Sequence, residues 1–212
     1  MSTERISDDF PALPGLHRPA PEEPERDPGA SLRGCSRLLI LGRTGSGKTT
    51  LGRELAAALD VPHVELDALY FGPDFTTVPL PVLRERTAAA IAGEQWVTDG
   101  NKSAVRDLVW PRADTVIWLD YPLVVSLWRL ARRACWRTSV IRQEAASDGG
   151  SRLFAARLFS AAKGVITALR SHRGQRRLYP ALLSDPANRH LAVVRLRSPR
   201  ATRRWLARVT SR

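Results

Sequence analysis

The sequence has little cysteine and no long apolar run. Its two cysteines, Cys35 and Cys135, lie a hundred positions apart with no Cys-x-x-Cys or Cys/His cluster, which argues against a disulfide framework, a zinc site or a thiol oxidoreductase motif. No apolar stretch approaches the roughly 20 residues that cross a bilayer, and residues 1–5 lack the apolar segment of a signal peptide. We therefore expect a cytoplasmic protein with no membrane partner.

Acidic residues are scarce in the last part of the chain. Residues 122–212 carry 20 Lys or Arg against 3 Asp or Glu, whereas acidic residues outnumber basic ones before residue 122. Lysine is also rare, occurring as Lys48, Lys102 and Lys163. An arginine-rich region of this kind attracts polyanions, so nucleic acid stays open as a partner beside a merely solvated cationic face.

Two parts of the chain differ in composition. Residues 1–34 are rich in proline and have no apolar period, which predicts a disordered arm. Residues 35–212 alternate short apolar runs with helical patterns, so we expect one folded domain there. The expected strands are residues 37–41, 62–66, 95–98, 115–119 and 191–196, and the expected helices include residues 49–59, 81–92, one from Pro122 and one after Pro199. This alternation predicts an α/β fold with a mainly parallel, doubly wound sheet.

A glycine-rich segment joins the first strand to the first helix. It reads Gly42, Arg43, Thr44, Gly45, Ser46, Gly47, Lys48, Thr49. This is the G-x-x-x-x-G-K-[ST] pattern in its required context, and it predicts a Walker A loop. In such a loop the backbone amides and the helix N-terminus surround phosphate oxygens, and the lysine reaches the β- and γ-phosphates. We expect these residues and Thr50 to bind ATP.

A magnesium ion bound with the nucleotide needs a second protein anchor besides the hydroxyl of Thr49. Asp99 and Asp120 each follow an expected strand. We favour Asp99, because Gly100 allows a ligand to approach the backbone closely, whereas Asp120 precedes a helix entry where aspartate often caps. Lys48, Thr49 and Asp99 are thus the expected centre of an ATP and Mg²⁺ site.

The acceptor side is expected beyond the second strand. Asp67 is expected to close that strand, and its carboxylate then faces the crevice beside the glycine-rich loop. Tyr70 and Phe71 follow and can stack on an acceptor ring. Arg84 and Arg106 are candidates for holding an anionic acceptor.

Arginines follow the fourth strand at helical spacing. Arg129 and Arg133 are four residues apart and share a helix face. Guanidinium groups suit the charge that develops on a transferred phosphoryl group, so both are expected to act in catalysis. The basic stretch over about residues 138–177 could form a lid over the nucleotide.

The chain resembles the nucleotide-kinase branch of P-loop proteins, and most closely the adenylate-kinase-like group often labelled DNA topology modulation proteins. The similarity covers about residues 37–210 and rests on the glycine-rich loop, residues 62–67, residues 96–101, residues 113–120 and residues 194–199. It implies a five-stranded parallel core, an acceptor-binding segment after the second strand and an arginine lid after the fourth. It also implies that Arg129 packs on adenine and that Arg133 reaches phosphate.

One segment departs from the pattern of adenylate kinases. Those enzymes follow the Asp-Gly pair with Phe-Pro-Arg, which helps to hold AMP, whereas here Gly100 precedes Asn101, Lys102 and Ser103. Arg106 is the candidate replacement. The leading hypothesis is transfer of the ATP γ-phosphoryl group to a nucleoside monophosphate or a similar small acceptor. A hydroxyl kinase with Asp67 as base, a nucleic-acid-associated NTP-binding protein and a nucleotide-binding regulator without turnover remain alternatives.

Overall fold

The computed structural model describes residues 35–71, 76–132, 174–175 and 177–211. The expected arm (residues 1–34), Arg133 and, of the expected lid, residues 138–173 and 176 lie outside the described residues. Within the described part of the chain, no helix is long and apolar enough to cross a membrane.

Strands and helices alternate along the chain. The strands are β1 (Arg37–Gly42), β2 (His63–Glu65), β3 (Trp96–Asp99), β4 (Thr115–Leu119) and β5 (Ala192–Leu196). The helices are α1 (Lys48–Leu59), α2 (Leu66–Tyr70), α3 (Leu80–Ala90), α4 (Arg106–Val109), α5 (described over residues 123–132), α6 (described over residues 177–183) and α7 (Pro199–Thr210). Helix α7 begins where expected, because the Ser198 side chain accepts a hydrogen bond from the Ala201 amide and Pro199 takes the first turn.

The five strands form one parallel sheet in the order β2-β3-β1-β4-β5. The predicted α/β fold with a doubly wound parallel sheet is therefore confirmed. Strand β1 lies at the centre, as its buried sequence requires. Its register pairs Ile40 with Asp99 and Gly42 with Leu119, so the carboxyl ends of β1, β3 and β4 reach one edge of the sheet.

Alternate residues of the strands supply two apolar layers. Leu39 and Leu41 of β1 face a layer to which α2, α3, α4 and α6 contribute, whereas Leu38 and Ile40 face a layer built with α1 and α7. Trp205 of α7 is fully buried in the second layer. The sheet therefore lies between two packed layers of helices, with the carboxyl ends of β1, β3 and β4 at one edge.

The end of the second strand differs from the prediction. Strand β2 stops at Glu65, and Leu66 begins α2, so the expectation that Asp67 closes the strand is wrong. Leu66 is buried, and Leu69 and Tyr70 pack against the same apolar layer. Residues three and four positions apart share a helix face, so a helical turn buries all three of these side chains together.

Candidate active site

The glycine-rich loop leaves β1 and turns into α1 through left-handed backbone. Gly45 and Gly47 have φ values of +81° and +90°, a region that L side chains rarely adopt. Space is also short, because a Cβ atom at Gly47 would lie 2.8 Å from Nη1 of Arg129, and one at Gly45 would lie 3.0 Å from the Ser126 carbonyl oxygen. Gly47 is the N-cap residue of α1 and has no side chain to cap the first amides. These amides can therefore bind an anion.

Lys48 is the first residue of α1, and its side chain folds back over the loop. Its Nζ donates a hydrogen bond to the carbonyl oxygen of Arg43 over 3.1 Å. Burial lowers the pKa of Lys48, while the charges of Asp99, Asp67 and Glu65 act in the opposite direction. The ammonium group thus lies at the glycine-rich loop, where the charges of carboxylates from β2, α2 and β3 act on it.

The other expected nucleotide-binding residues differ in exposure. Arg43 and Ser46 of the loop are buried, Thr49 is half-buried, and Thr44 and Thr50 are exposed. Exposure leaves the Thr44 and Thr50 side chains accessible to a nucleotide from outside the loop. The Thr49 hydroxyl lies one residue after Lys48, where a Walker A loop offers its metal ligand.

The two candidate magnesium aspartates have different partners. Asp120 is ion-paired to Arg195 of β5, with Oδ2 and Nη2 2.8 Å apart. Asp99 ends β3 and is almost fully buried; the one side-chain hydrogen bond that a described residue makes with it runs from Nε2 of His63 to Oδ2 over 3.1 Å, and its charge also acts on Lys48. No hydrogen bond from a described residue engages Oδ1 of Asp99. This difference supports Asp99 as the metal anchor.

The donor set fits magnesium held largely by the nucleotide. The described residues include no group of three or more His, Cys, Asp or Glu side chains that could form a complete metal site. Mg²⁺ commonly uses one or two protein oxygens and completes its shell with phosphate oxygens and water. A hydroxyl from Thr49 and a carboxylate oxygen from Asp99 match that requirement.

Arg129 extends from α5 to the glycine-rich loop. Its Nη1 donates to the carbonyl oxygen of Ser46 over 2.6 Å, and its guanidinium lies 5.4 Å from the centre of the Tyr121 ring. The guanidinium is therefore at the glycine-rich loop. Arg133, its expected partner in catalysis, lies outside the described residues.

Asp67 and Tyr70 of α2 face Lys102. The Nζ of Lys102 lies 3.2 Å from Oδ1 of Asp67 and 4.3 Å from the centre of the Tyr70 ring. Tyr70 also meets Phe71 edge to face, with ring centres 5.4 Å apart. The Asp67 side chain is 58% exposed, so its carboxylate remains accessible to a small molecule.

The two arginines predicted to hold an acceptor, Arg84 and Arg106, have contrasting surroundings. Arg84 of α3 binds the Asp107 carboxylate with both terminal nitrogens, and Nη1 also donates to the Ala104 carbonyl oxygen, so its guanidinium joins α3 to α4. Arg106 donates from Nε to Oδ1 of Asn101 over 3.1 Å and has no ion pair among the described residues. Burial lowers the pKa of Arg106. An uncompensated, half-buried guanidinium favours an anionic ligand.

Asn101 connects Arg106 to the loop through a buried tyrosine. Its Oδ1 also accepts from Nε1 of Trp110 over 3.3 Å, and its side chain shares a hydrogen bond with the hydroxyl of Tyr179. Tyr179 comes from α6, packs edge to face on Trp118 and also hydrogen-bonds the backbone of Gly42. The sequence analysis missed His63, Asn101 and Tyr179 as members of the site, because each acts through a partner distant in sequence.

Tyr179 predicts a loss of stability at alkaline pH. Burial raises its pKa from 10.0 to about 12, despite the opposing hydrogen bonds. As the pH rises, the unfolded chain therefore releases the Tyr179 proton before the folded protein does. The contribution of the protonated hydroxyl to the free energy of unfolding is complete below pH 10 and is lost as the pH rises toward 12. Between these pH values the wild type should lose on the order of 2 kcal/mol more stability than Tyr179→Phe in urea unfolding. Equal pH slopes in the two proteins would contradict this assignment.

Comparisons with known proteins give similarity of fold alone. No protein-family model matches the chain, and no curated protein matches it. Among solved structures, a shikimate kinase from Acinetobacter baumannii in complex with shikimate is 17% identical, with coverage of 84% of this chain and 92% of that chain and a TM-score of 0.43. A gluconokinase from Sinorhizobium meliloti 1021 is 17% identical, with coverage of 82% and 93% and a TM-score of 0.37. The resemblance to the adenylate-kinase-like group stays a prediction.

Proposed function

We propose that the protein transfers the γ-phosphoryl group of ATP to a small acceptor in the presence of Mg²⁺, and that the acceptor is a nucleoside monophosphate or a similar nucleotide-like molecule. The observation that carries this proposal is the phosphate-binding cradle. Left-handed Gly45 and Gly47 lead into the uncapped N-terminus of α1, and Lys48 and Asp99 lie beside it. This combination suits a triphosphate and its metal ion.

Each residue of the cradle has a distinct role in phosphoryl transfer. The first amides of α1 and the ammonium of Lys48 bind the β- and γ-phosphates and oppose the charge that develops on the transferred group. Arg129, already at the carbonyl of Ser46, adds a second cation at the same loop. When bound through Thr49 and Asp99, Mg²⁺ would supply charge neutralisation and orient the phosphate oxygens. Catalysis then depends mainly on positioning and electrostatics.

The surroundings of Arg106 support a phosphate-bearing acceptor. This guanidinium is half-buried and has no carboxylate partner among the described residues. It is connected through Asn101 and Tyr179 to Gly42 at the start of the cradle. A planar, permanently charged fork recognises phosphate oxygens well. An acceptor phosphate held there would lie on the same edge of the sheet as the donor nucleotide.

A hydroxyl acceptor is the second candidate, and the exposed carboxylate of Asp67 favours it. A hydroxyl nucleophile benefits from a base, whereas a phosphate acceptor is already ionised. Asp67 is accessible but is ion-paired to Lys102. Its role therefore separates the two versions of the proposal.

The proposed transfer is tested with purified protein, γ-labelled ATP and Mg²⁺. The acceptor panel contains nucleoside monophosphates, nucleosides and small hydroxyl compounds, and Lys48→Ala is purified in parallel. We expect label in a nucleoside diphosphate with the wild type alone. Equal product from Lys48→Ala would identify a contaminating kinase. ATP binding without transfer to any acceptor would contradict the proposal and favour a nucleotide-binding protein without turnover.

Asp67→Asn separates a phosphate acceptor from a hydroxyl acceptor. We expect kcat to change by less than about threefold, because removal of a general base usually costs about 10²-fold or more and a phosphate acceptor needs none. Asp107→Asn is the matched control, since it removes another exposed carboxylate paired with a cation. Steady-state kinetics on both variants measure the effect. A selective loss of about 10²-fold in Asp67→Asn would instead favour hydroxyl phosphorylation.

A further inference from the structure

A half-buried histidine, His63, lies beside the carboxylate proposed to anchor Mg²⁺. His63 begins β2 and is paired in register with Val97 of β3. Asp99 lies two residues farther along β3, so the His63 and Asp99 side chains project from the same face of the sheet. Their hydrogen bond, Nε2 to Oδ2 over 3.1 Å, joins side chains that are 14% and 2% exposed.

Helix α1 confines the histidine ring. A Cβ atom at Gly52 would come closest to Nε2 of His63 and would lie 2.9 Å from Cδ2 of the same ring. Such distances are shorter than any real Cβ contact, so a side chain at position 52 would displace the ring. Gly52 also sits inside a helix, where glycine is less favourable than alanine. Its presence therefore provides the space in which the ring meets Asp99.

The carboxylate needs an external constraint to adopt one orientation. The terminal torsion of an aspartate is broad, so the backbone of β3 alone does not fix the direction of the two oxygens. The hydrogen bond from His63 holds Oδ2, and no hydrogen bond from a described residue engages Oδ1. Hydrogen bonds to a ligating carboxylate orient it toward the metal. Here that constraint leaves one oxygen for the ion.

We propose that His63 is a positioning residue that orients Asp99 toward the metal ion of the bound nucleotide, and that Gly52 is required because it makes room for the ring. This inference rests on the proposed function, since it needs a metal-nucleotide complex at the cradle. In this role His63 acts through the Asp99 carboxylate. Gly52, a glycine outside the glycine-rich loop, also has a role in this arrangement.

The experiment measures metal binding apart from turnover. Mn²⁺ binding in the presence of ATP is followed by the electron paramagnetic resonance signal of the free ion, and ATP binding in EDTA is followed by calorimetry. We expect His63→Leu to weaken Mn²⁺ binding by about 10- to 100-fold and to change metal-free ATP binding by less than threefold. His63→Gln retains an amide donor and should recover part of the loss.

Gly52→Ala tests the same link without altering either partner. It should weaken Mn²⁺ binding in the direction of His63→Leu, even though alanine favours the helix. His190→Leu is the matched control, because the one hydrogen bond of His190 within the described residues joins Nε2 to the Trp110 carbonyl oxygen over 3.4 Å, and this variant should bind Mn²⁺ as the wild type does. Circular dichroism confirms folding, and Gly52→Ala decides the outcome if the His63 variants do not fold.

The outcomes distinguish this inference from the proposed function. Wild-type affinity for Mn²⁺ in folded His63→Leu, or in Gly52→Ala when His63→Leu does not fold, would overturn the positioning role and leave phosphoryl transfer intact. A His63→Gln variant as weak as His63→Leu would also overturn it. Failure of the wild type to bind ATP in EDTA or with Mn²⁺ would overturn the proposed function, and the positioning role with it.

Discussion

Lys48→Ala is expected to lower kcat/KM for ATP by about 10³-fold, within the range found when a preorganised charge-stabilising group is removed from an active site. The Nζ of Lys48 is directed across the glycine-rich loop to the Arg43 carbonyl oxygen, within the cradle that would receive the triphosphate. Binding of a γ-phosphate would exchange this carbonyl for phosphate oxygens. Steady-state kinetics with the acceptor found in the panel would measure the effect.

The folded state should tolerate this substitution. The ammonium is buried at a cost in solvation, as its lowered pKa indicates, and alanine is a good helix former at the start of α1. Arg53→Ala is the matched control, because it removes a cation from the same helix that is exposed and pairs with Glu65 at 3.5 Å. A thermally stable Lys48→Ala variant with wild-type kinetics would refute the proposal that the cradle binds the triphosphate through Lys48. Equal losses in both variants would indicate a general effect of charge.

Local sequence patterns were sufficient for the sheet and the glycine-rich loop. The run ending at Gly42 is uninterruptedly apolar, as a central parallel strand must be, and the motif that follows has few other physical uses. The start of α2 was missed for an equally local reason. A three-residue strand and a five-residue helix are each too short to show the two-residue period of a strand or the 3.6-residue period of a helix. The sequence therefore predicts Asp67 at the end of β2, whereas it lies in α2.

Contacts between residues far apart in the sequence could not be predicted from such local patterns. His63 and Asp99 are 36 residues apart, and their hydrogen bond exists only because β2 and β3 pair in one particular register. Tyr179 contacts Asn101 and Gly42 from α6, a helix that comes much later in the sequence than either residue. Neither histidine nor tyrosine carries a sequence signal for such a partner. Tertiary packing, not local propensity, creates this part of the site.

The two arginines expected to hold the acceptor can now be distinguished by experiment. Arg106→Gln should lower kcat/KM for a phosphate-bearing acceptor by about 10- to 100-fold, the equivalent of one charge-assisted hydrogen bond of about 1.5–3 kcal/mol. KM for ATP should change by less than about threefold. Glutamine retains a donor for Asn101, so the loss would report the guanidinium charge and not the collapse of the Asn101 contacts.

Arg84→Gln is the matched control for this prediction. Both arginines are acceptor candidates from the sequence, but the Arg84 guanidinium is already bound to Asp107 and to the Ala104 carbonyl oxygen. Acceptor saturation curves for the two variants should therefore diverge, with Arg84→Gln close to the wild type. A loss in Arg84→Gln with Arg106→Gln close to the wild type would instead indicate that the acceptor binds beside Arg84 of α3. Equal kinetics in both variants would remove the argument for an anionic acceptor, because no other half-buried, unpaired guanidinium among the described residues adjoins Asn101.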